Sequence, residues 1–186
     1  MKKAVGLLLV VFLLSGCSGA SKEIEKGMAL RSRLLKAATC SFDTQITADY
    51  GDKTYQFSMA CQGDDQGNLT FTVTAPETIA GITGKITGQG GALTFDDVAL
   101  QFDLMADDQV TPVSAPWILL KTLRSGYLTA AGTEGDQLHL TIDDSYEDDA
   151  LTLDIWLDGE DVPIRAEILY DGRRILSLTI VNFQVL

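Results

Sequence analysis

The sequence predicts an α+β domain: a curved, incomplete antiparallel β-barrel of about ten or eleven strands, with an N-terminal helix and a second helix covering its concave side. Three observations lead there. Apolar residues recur at helical spacing up to Ala38 and at every second position from Cys40 onward. The gaps between the alternating runs are short and rich in Gly and Asp, so neighbours pair as antiparallel hairpins. One strongly apolar helix, between Ser114 and Gly126, interrupts the strands and needs a surface to bury against.

The chain opens Met1-Lys2-Lys3, runs apolar from Ala4 to Leu14 and then reads Ser15-Gly16-Cys17. A basic start, a short apolar stretch and small residues at a cleavage point are the parts of a secretory signal. The apolar run falls short of the roughly 20 residues a membrane helix needs. Leu14-Ser15-Gly16-Cys17 resembles the lipobox of bacterial lipoproteins. That resemblance implies cleavage after residue 16 and acylation of Cys17 with diacylglyceryl and palmitate-type chains. Each buried methylene contributes roughly 0.8 kcal/mol, so several chains anchor stably where one does not. The expected organisation is a signal peptide at 1–16, a lipidated tether at 17–21 and a single domain at 22–186. The anchor places the chain in the bacterial cell envelope, on the outer side of the cytoplasmic membrane, or at the outer membrane where the host has one. Ser18, not Asp, follows the cysteine; in the lipoprotein family Asp there is the usual inner-membrane retention signal.

Removing Lys2 and Lys3 with the signal leaves 12 basic residues against 26 acidic ones, a formal charge of −14. Such a surface repels nucleic acid and anionic lipid headgroups alike, so the lipid anchor rather than electrostatics is expected to hold the chain at the membrane. Most carboxylates sit in turns, among them Asp64-Asp65, Asp107-Asp108 and Asp143-Asp144, as solvated loop ends do. The run from Asp143 to Asp149 is the sharpest candidate for calcium, but it lacks the glycine and ligand spacing of an EF-hand loop.

A helix is expected from about Lys22 to Ala38. Ser21 can cap it, Glu23 and Glu25 lie in the first turn, and Arg31, Arg33 and Lys36 lie toward the end, an order that suits the helix dipole. Ile24, Met28, Leu34, Leu35 and Ala38 give one apolar stripe. Alternating strands follow at 40–48, 55–62 and 69–73. Shorter ones are expected around 82–87 and 92–95, amid Gly81, Gly84, Gly88, Gly90 and Gly91, and another at 98–104. So many glycines imply bends or close backbone approach. Ser114, Pro116 and Gly126 then bound the apolar helix around Trp117 to Leu123. Strands resume at 138–142, 151–157, 162–169 and 175–183, joined by turns such as Asp158-Gly159-Glu160 and Asp171-Gly172-Arg173.

This element order resembles the LolA/LolB-like superfamily of lipoprotein carriers and receptors over residues 22–186. So does the stretch from Leu69 to Glu77 followed by Ile79-Ala80-Gly81-Ile82. The resemblance implies an open barrel of about eleven antiparallel strands whose cavity is closed by helices. A lipidated cysteine sets the chain apart from the soluble periplasmic carriers. It moves the chain toward lipidated receptors, or toward lipidated relatives in Gram-positive bacteria, including germination lipoproteins. No functional residue of that family is carried over.

No enzyme chemistry announces itself. The lone His139 alternates with Leu138 and Leu140 and so belongs on their more polar opposite face. There is no metal spacing of His or Cys, no phosphate loop with its lysine, and no Gly-x-Ser-x-Gly elbow. No metal and no cofactor is implied. Two function classes remain. One is a module that binds a lipid or other amphiphile, with Phe42, Ile46, Phe57, Met59, Phe71 and Val73 lining the cavity and Trp117, Leu120 and Leu123 on a helical lid. The same alternation equally describes a filled core, since small barrels are packed and larger ones hollow. The other class is a non-enzymatic scaffold or regulator for another envelope protein, as in sporulation or germination. Trp156, out of phase with Leu153, Ile155 and Leu157, is its candidate contact unless a neighbouring loop covers it.

With Cys17 acylated, Cys40 and Cys61 form an even pair in an oxidising compartment. Pairing Ala48 with Lys53 around the turn at 49–52 sets Cys40 opposite Cys61 and predicts a disulfide. It would close a loop of roughly 20 residues, worth about 3 kcal/mol in the chain-entropy model. A two-residue turn at Gly51-Asp52 would instead set the two cysteines diagonally.

Overall fold

The computed structural model describes residues 18–96, 98–106, 109–147 and 150–186. The signal peptide, Cys17 and the end of the Asp143–Asp149 run lie outside the described residues. Among the described residues no helix is long and apolar enough to cross a membrane.

Helix α1 spans Ser18–Lys36. It takes in the four residues expected to form a tether, so Glu23 and Glu25 fall beyond its first turn; Arg33 and Lys36 occupy the last turn as expected. Of the stripe read from the sequence only Leu34 is buried, beside Leu30, which the stripe left out. Leu30 and Leu34 are buried, each 1% exposed, whereas Ile24, Met28 and Leu35 stand in solvent at 44%, 46% and 61%. Gly27 lies on the packed side, where the space for a Cβ ends 3.0 Å from a Leu140 methyl.

Strands β1 (Thr39–Asp49), β2 (Thr54–Asp64), β3 (Leu69–Ala75), β4 (Thr83–Thr87), β5 (Gly90–Phe95) and β6 (Val98–Phe102) follow as a meander. A short pair, β7 (Met105–Ala106) and β8 (Gln109–Val110), leads through a 3₁₀ turn at Pro112–Ser114 into helix α2 (Ala115–Ser125). A second meander comprises β9 (Tyr127–Glu134), β10 (Gln137–Asp143), β11 (Leu151–Leu157), β12 (Pro163–Tyr170) and β13 (Arg173–Val185). The first and last strands pair, giving one 11-stranded antiparallel sheet in the order β6-β5-β4-β3-β2-β1-β13-β12-β11-β10-β9. Its edges, β6 and β9, stay apart, so the barrel is incomplete.

This topology places α2. The chain leaves the sheet at one edge and re-enters at the other, and the connection crosses the concave face. Its helix is apolar on most of its circumference, and Ile118, Leu119, Leu120 and Leu123 are buried there. Alternation supplies the opposing surface. Phe42 and Ile46 on β1, Met59 and Cys61 on β2, Leu140 on β10 and Ile155 on β11 belong to a single buried cluster with α1 and α2. Glycines set three close approaches. Leu120 of α2 reaches Gly63, the ring of Phe71 lies over Gly84, and the ring of Phe102 lies over Gly91; ring-over-glycine pairs of this kind pin register in strands that lack side chains.

The β1–β2 register corrects one expectation. Ala48 pairs with Tyr55 and Asp49 with Thr54, and the Tyr50 amide donates to the Lys53 carbonyl, leaving a two-residue turn at Gly51-Asp52. Gly51, at φ +91°, occupies the first central position, where a tight hairpin of this hand calls for glycine. Cys40 therefore faces Gly63 and Cys61 faces Phe42. The two cysteines are diagonal neighbours, a relation of about 7–8 Å between backbones, against Cβ atoms about 3.5–4.5 Å apart in a disulfide. Both are buried free thiols.

Candidate functional site

All nine residues proposed to line a ligand cavity lie on the concave side, and the structure brings them together. Phe42, Ile46, Phe57, Met59, Phe71, Val73, Leu120 and Leu123 are buried in one cluster, with Trp117 half-buried at its margin. Together with the buried face of α2 they form one packed interior. Two polar latches hold α2 to the end of the sheet where β2 turns into β3. Trp117 Nε1 donates to the Gly67 carbonyl at 2.9 Å, and Arg124 Nη1 donates to the Asp64 carbonyl at 2.7 Å. Lys121 Nζ pairs with Asp144 Oδ2 at 2.9 Å, and Arg31 Nε of α1 donates to the Leu123 carbonyl at 2.8 Å.

Arg124 Nε and Nη2 and the Thr122 hydroxyl on α2, and the Thr44 hydroxyl on β1, are buried without a hydrogen-bond partner among the described residues.

The opposite end of the sheet is the mouth. Turns β1–β2 and β5–β6 and the β3–β4 link lie there by antiparallel alternation. Leu69 pairs with Ile86 and Ile86 with Gly91, both of the first two fully buried, so the concave face continues onto the β5–β6 hairpin. On that face Gly91, Leu93 and Phe95 stand opposite Phe102, Leu100 and Val98. Leu93 and Phe102 pack on the core, but Phe95, Val98 and Leu100 are 47%, 59% and 58% exposed. The apolar lining thus runs out of the core and past the point where helices cover it. Met105, just beyond β6, and Tyr55 on the inner face of β2 are exposed as well. None of these five was singled out from the sequence. The signal was present in the unbroken apolar alternation of Leu93, Phe95, Val98, Leu100 and Phe102.

A broad groove of about 810 Å³ lies elsewhere, over the outer face of β1 to β5 and β13. Its walls are hydroxyls and amides such as Ser41, Gln62, Thr70 and Thr72, with Asp43 and Lys85. Ala60 and Ala92 also line it, so the groove is mixed in character, and the mouth is the candidate site because its apolar lining is continuous with the core.

His139 and Trp156 explain each other. Both are on the outer face, with rings stacked at 4.5 Å and 11°. Arg165 caps the indole from the far side at 3.6 Å, and Trp156 Nε1 donates to Glu134 Oε2 at 2.5 Å. Trp156 is thereby only 6% exposed and offers no docking surface, contrary to its candidacy as an outer contact. His139 Nε2 sits 3.1 Å from Asp154 Oδ1, but the nearby Thr141 hydroxyl donates to that same carboxylate at 2.7 Å rather than to the imidazole. The Asp154 contact holds the imidazole in its stack over tryptophan.

The acidic run is used structurally where it is described. Asp144 Oδ1 accepts from the Leu151 amide while Oδ2 holds Lys121, and Asp143 accepts from the Thr152 hydroxyl. Among the described residues no group of three or more His, Cys, Asp or Glu is placed to hold a metal.

Burial pushes the Cys40 thiol up to about 11, with Arg124 drawing it partly back, and burial raises Cys61 as well. Both therefore stay protonated and shielded near neutral pH. The expected result is two thiols titrated after denaturation without reductant and almost none in the folded protein. Because the folded values are raised, this protection contributes stability below about pH 9 that is lost as the pH climbs through 11. Thiol counting on denatured, unreduced protein decides it: a count of zero means the cysteines bridge after all.

The architecture is an open antiparallel half-barrel plugged by the helix that joins its two edges. No protein-family model and no curated protein matches the sequence. Similar solved structures include a LolA superfamily protein from Nitrosomonas europaea, 9% identical over 86% of this chain and 93% of that one, with a TM-score of 0.43. The lipoprotein LppX of Mycobacterium tuberculosis is 11% identical over 87% and 93%, at 0.41. An uncharacterised conserved protein of Thermus thermophilus is 10% identical over 86% and 86%, at 0.47.

Proposed function

We propose that this chain is a lipoprotein of the bacterial cell envelope, anchored through Cys17, whose half-barrel takes up the apolar part of a lipid or other amphiphile at the β5–β6 mouth. The carrying observation is the exposed inner face of that hairpin. Phe95, Val98 and Leu100 continue the core lining into solvent, where uncovered apolar surface otherwise costs roughly 25 cal/mol per Å². A chain entering there meets the packed interior and the underside of α2.

The test is a titration with lysophosphatidylcholine, read by tryptophan emission. Trp117 sits on the latch of α2, whereas Trp156 is locked on the outer face and supplies a constant background. Emission is expected to change with saturable dependence on lipid below its micellar concentration. An unchanged spectrum when binding is shown by calorimetry removes the plug role of α2, and absence of calorimetric binding removes the reading altogether.

The anchor is tested separately. Cys17→Ala is expected to abolish incorporation of labelled palmitate and leave the precursor unprocessed; uptake of label equal to wild type would place the anchor elsewhere or nowhere.

A further inference from the structure

Charge is distributed very unevenly along this chain. Helix α1 carries Lys22, Lys26, Arg31, Arg33 and Lys36 against Glu23 and Glu25, a net +3. Residues 37–186 hold seven basic and 24 acidic residues, a net −17. One of the helix's charges is offset locally, because Lys26 Nζ pairs with Asp161 at 2.9 Å; Lys22, Arg33 and Lys36 remain exposed. The same helix bears the exposed residues Ile24, Met28 and Leu35, spaced by four and seven and so aligned along one side, while another row, about 120° round the helix at 3.6 residues per turn, seats Leu30 and Leu34 in the core. A helix whose core-facing residues are already buried gains nothing in water from a second apolar row.

We infer that the outward side of α1 is a membrane-docking surface for anionic phospholipid. The inference rests on the proposed anchor for its geometry, since Cys17 immediately precedes the first residue of α1. A chain acylated there holds the start of the helix at the headgroup layer, with no linker to carry the domain away. Ile24 and Met28 then lie within the first three turns, at the level where apolar side chains enter the interface, and the lysines and arginines meet phosphate. The acidic remainder is repelled by the same surface, so attraction at α1 and repulsion elsewhere select one orientation. Docking turns a pivot about the anchor into a fixed pose, which presents the mouth to the bilayer at one angle rather than many.

The test uses the full lipidated chain carrying Met28→Cys, labelled with an environment-sensitive nitrobenzoxadiazole group. Cys40 and Cys61 are buried and do not compete for the label. On vesicles of phosphatidylcholine with a minority of phosphatidylglycerol, emission at position 28 is expected to rise several-fold over the detergent-solubilised protein and to shift to the blue. The same probe at Thr72→Cys, exposed on the outer face of β3, is expected to stay unchanged. Unshifted emission at position 28 on acylated, vesicle-bound protein overturns the docking, and so does a blue shift that appears without vesicles as protein concentration rises, which indicates a second copy on the stripe. Intact mass reports the acyl chains independently. If they are missing, the anchor reading fails, and docking is then judged by salt-sensitive sedimentation of the Cys17→Ser chain with the same vesicles. That sedimentation is expected to disappear in the triple variant Ile24→Ser, Met28→Ser, Leu35→Ser; sedimentation equal in both chains overturns it.

Discussion

Replacing Val98 and Leu100 together with glutamine is expected to weaken lysophosphatidylcholine binding by about 10- to 100-fold while leaving the fold intact. Both side chains already face solvent, at 59% and 58% exposure, so folding gains little from them. Surface changes of this kind stay within about 0.5 kcal/mol of neutral. Binding is different, because a ligand lying on the hairpin covers what the protein leaves open. Complete burial of a Val or Leu side chain is worth roughly 1.5–3 kcal/mol. Covering about the remaining half of two of them gives about 1.5–3 kcal/mol, hence the stated loss at about 1.4 kcal/mol per decade. Glutamine rather than glutamate keeps the variant free of new charge, so repulsion of the headgroup does not contribute. Calorimetric titration with parallel thermal melts makes the measurement. Unchanged affinity with an unchanged melting point would sink the mouth as the binding surface, and glutamine at Thr72 and Thr74, on the outer face of neighbouring β3, serves as the matched control.

Much of the half-barrel was legible because period-2 alternation survives wherever one face is buried. β1, β2, β3 and β10 show it directly, and their buried positions are the ones the sequence marks. β9 escaped notice because Tyr127–Glu134 is an edge strand half open on both faces, which blurs the alternation. Register is a finer matter. A turn choice at Gly51 moved the β1–β2 pairing by two residues, kept every side chain on its predicted face, and removed the disulfide. In α1 the helical period and Leu34 were legible, but Ile24, Met28 and Leu35 face solvent, since the helix has two apolar rows and a wheel cannot say which one meets a sheet. Exposure at the mouth was likewise beyond the sequence. It depends on how far α2 reaches across the concave face, a fact of tertiary packing. The cover on Trp156 comes from His139 and Arg165, opposite it on the two flanking strands, and only the assembled sheet brings them together.

The β4–β6 arm that carries the mouth should depend on Gly84 more than on any single polar contact, and Gly84→Ala is expected to destabilise the domain by about 3 kcal/mol. The residue's backbone is ordinary, so the effect comes from space alone. A Cβ at that position would lie 2.4 Å from Phe71 Cζ and 2.6 Å from Cε1, with the Ala92 carbonyl oxygen at 2.7 Å. The carbonyl belongs to the adjoining strand and cannot withdraw without breaking the β4–β5 pairing. The ring is 3% exposed in the core and cannot swing aside without leaving a void. Overpacking of this kind costs roughly 1–3 kcal/mol when the core can adjust, and the fixed carbonyl puts this site at the upper end. For a domain of this size the melting point should fall by roughly 2–4 °C for each kcal/mol. Gly88→Ala is the control, because its Cβ meets nothing within 4 Å. Shortening the ring with Phe71→Leu should cost stability alone yet recover part of the Gly84→Ala loss, a coupling a double-mutant cycle reads directly. If Gly84→Ala melts with Gly88→Ala, or if the cycle closes with no coupling, the ring does not lie over that glycine and the continuity of the lining from core to mouth fails with it.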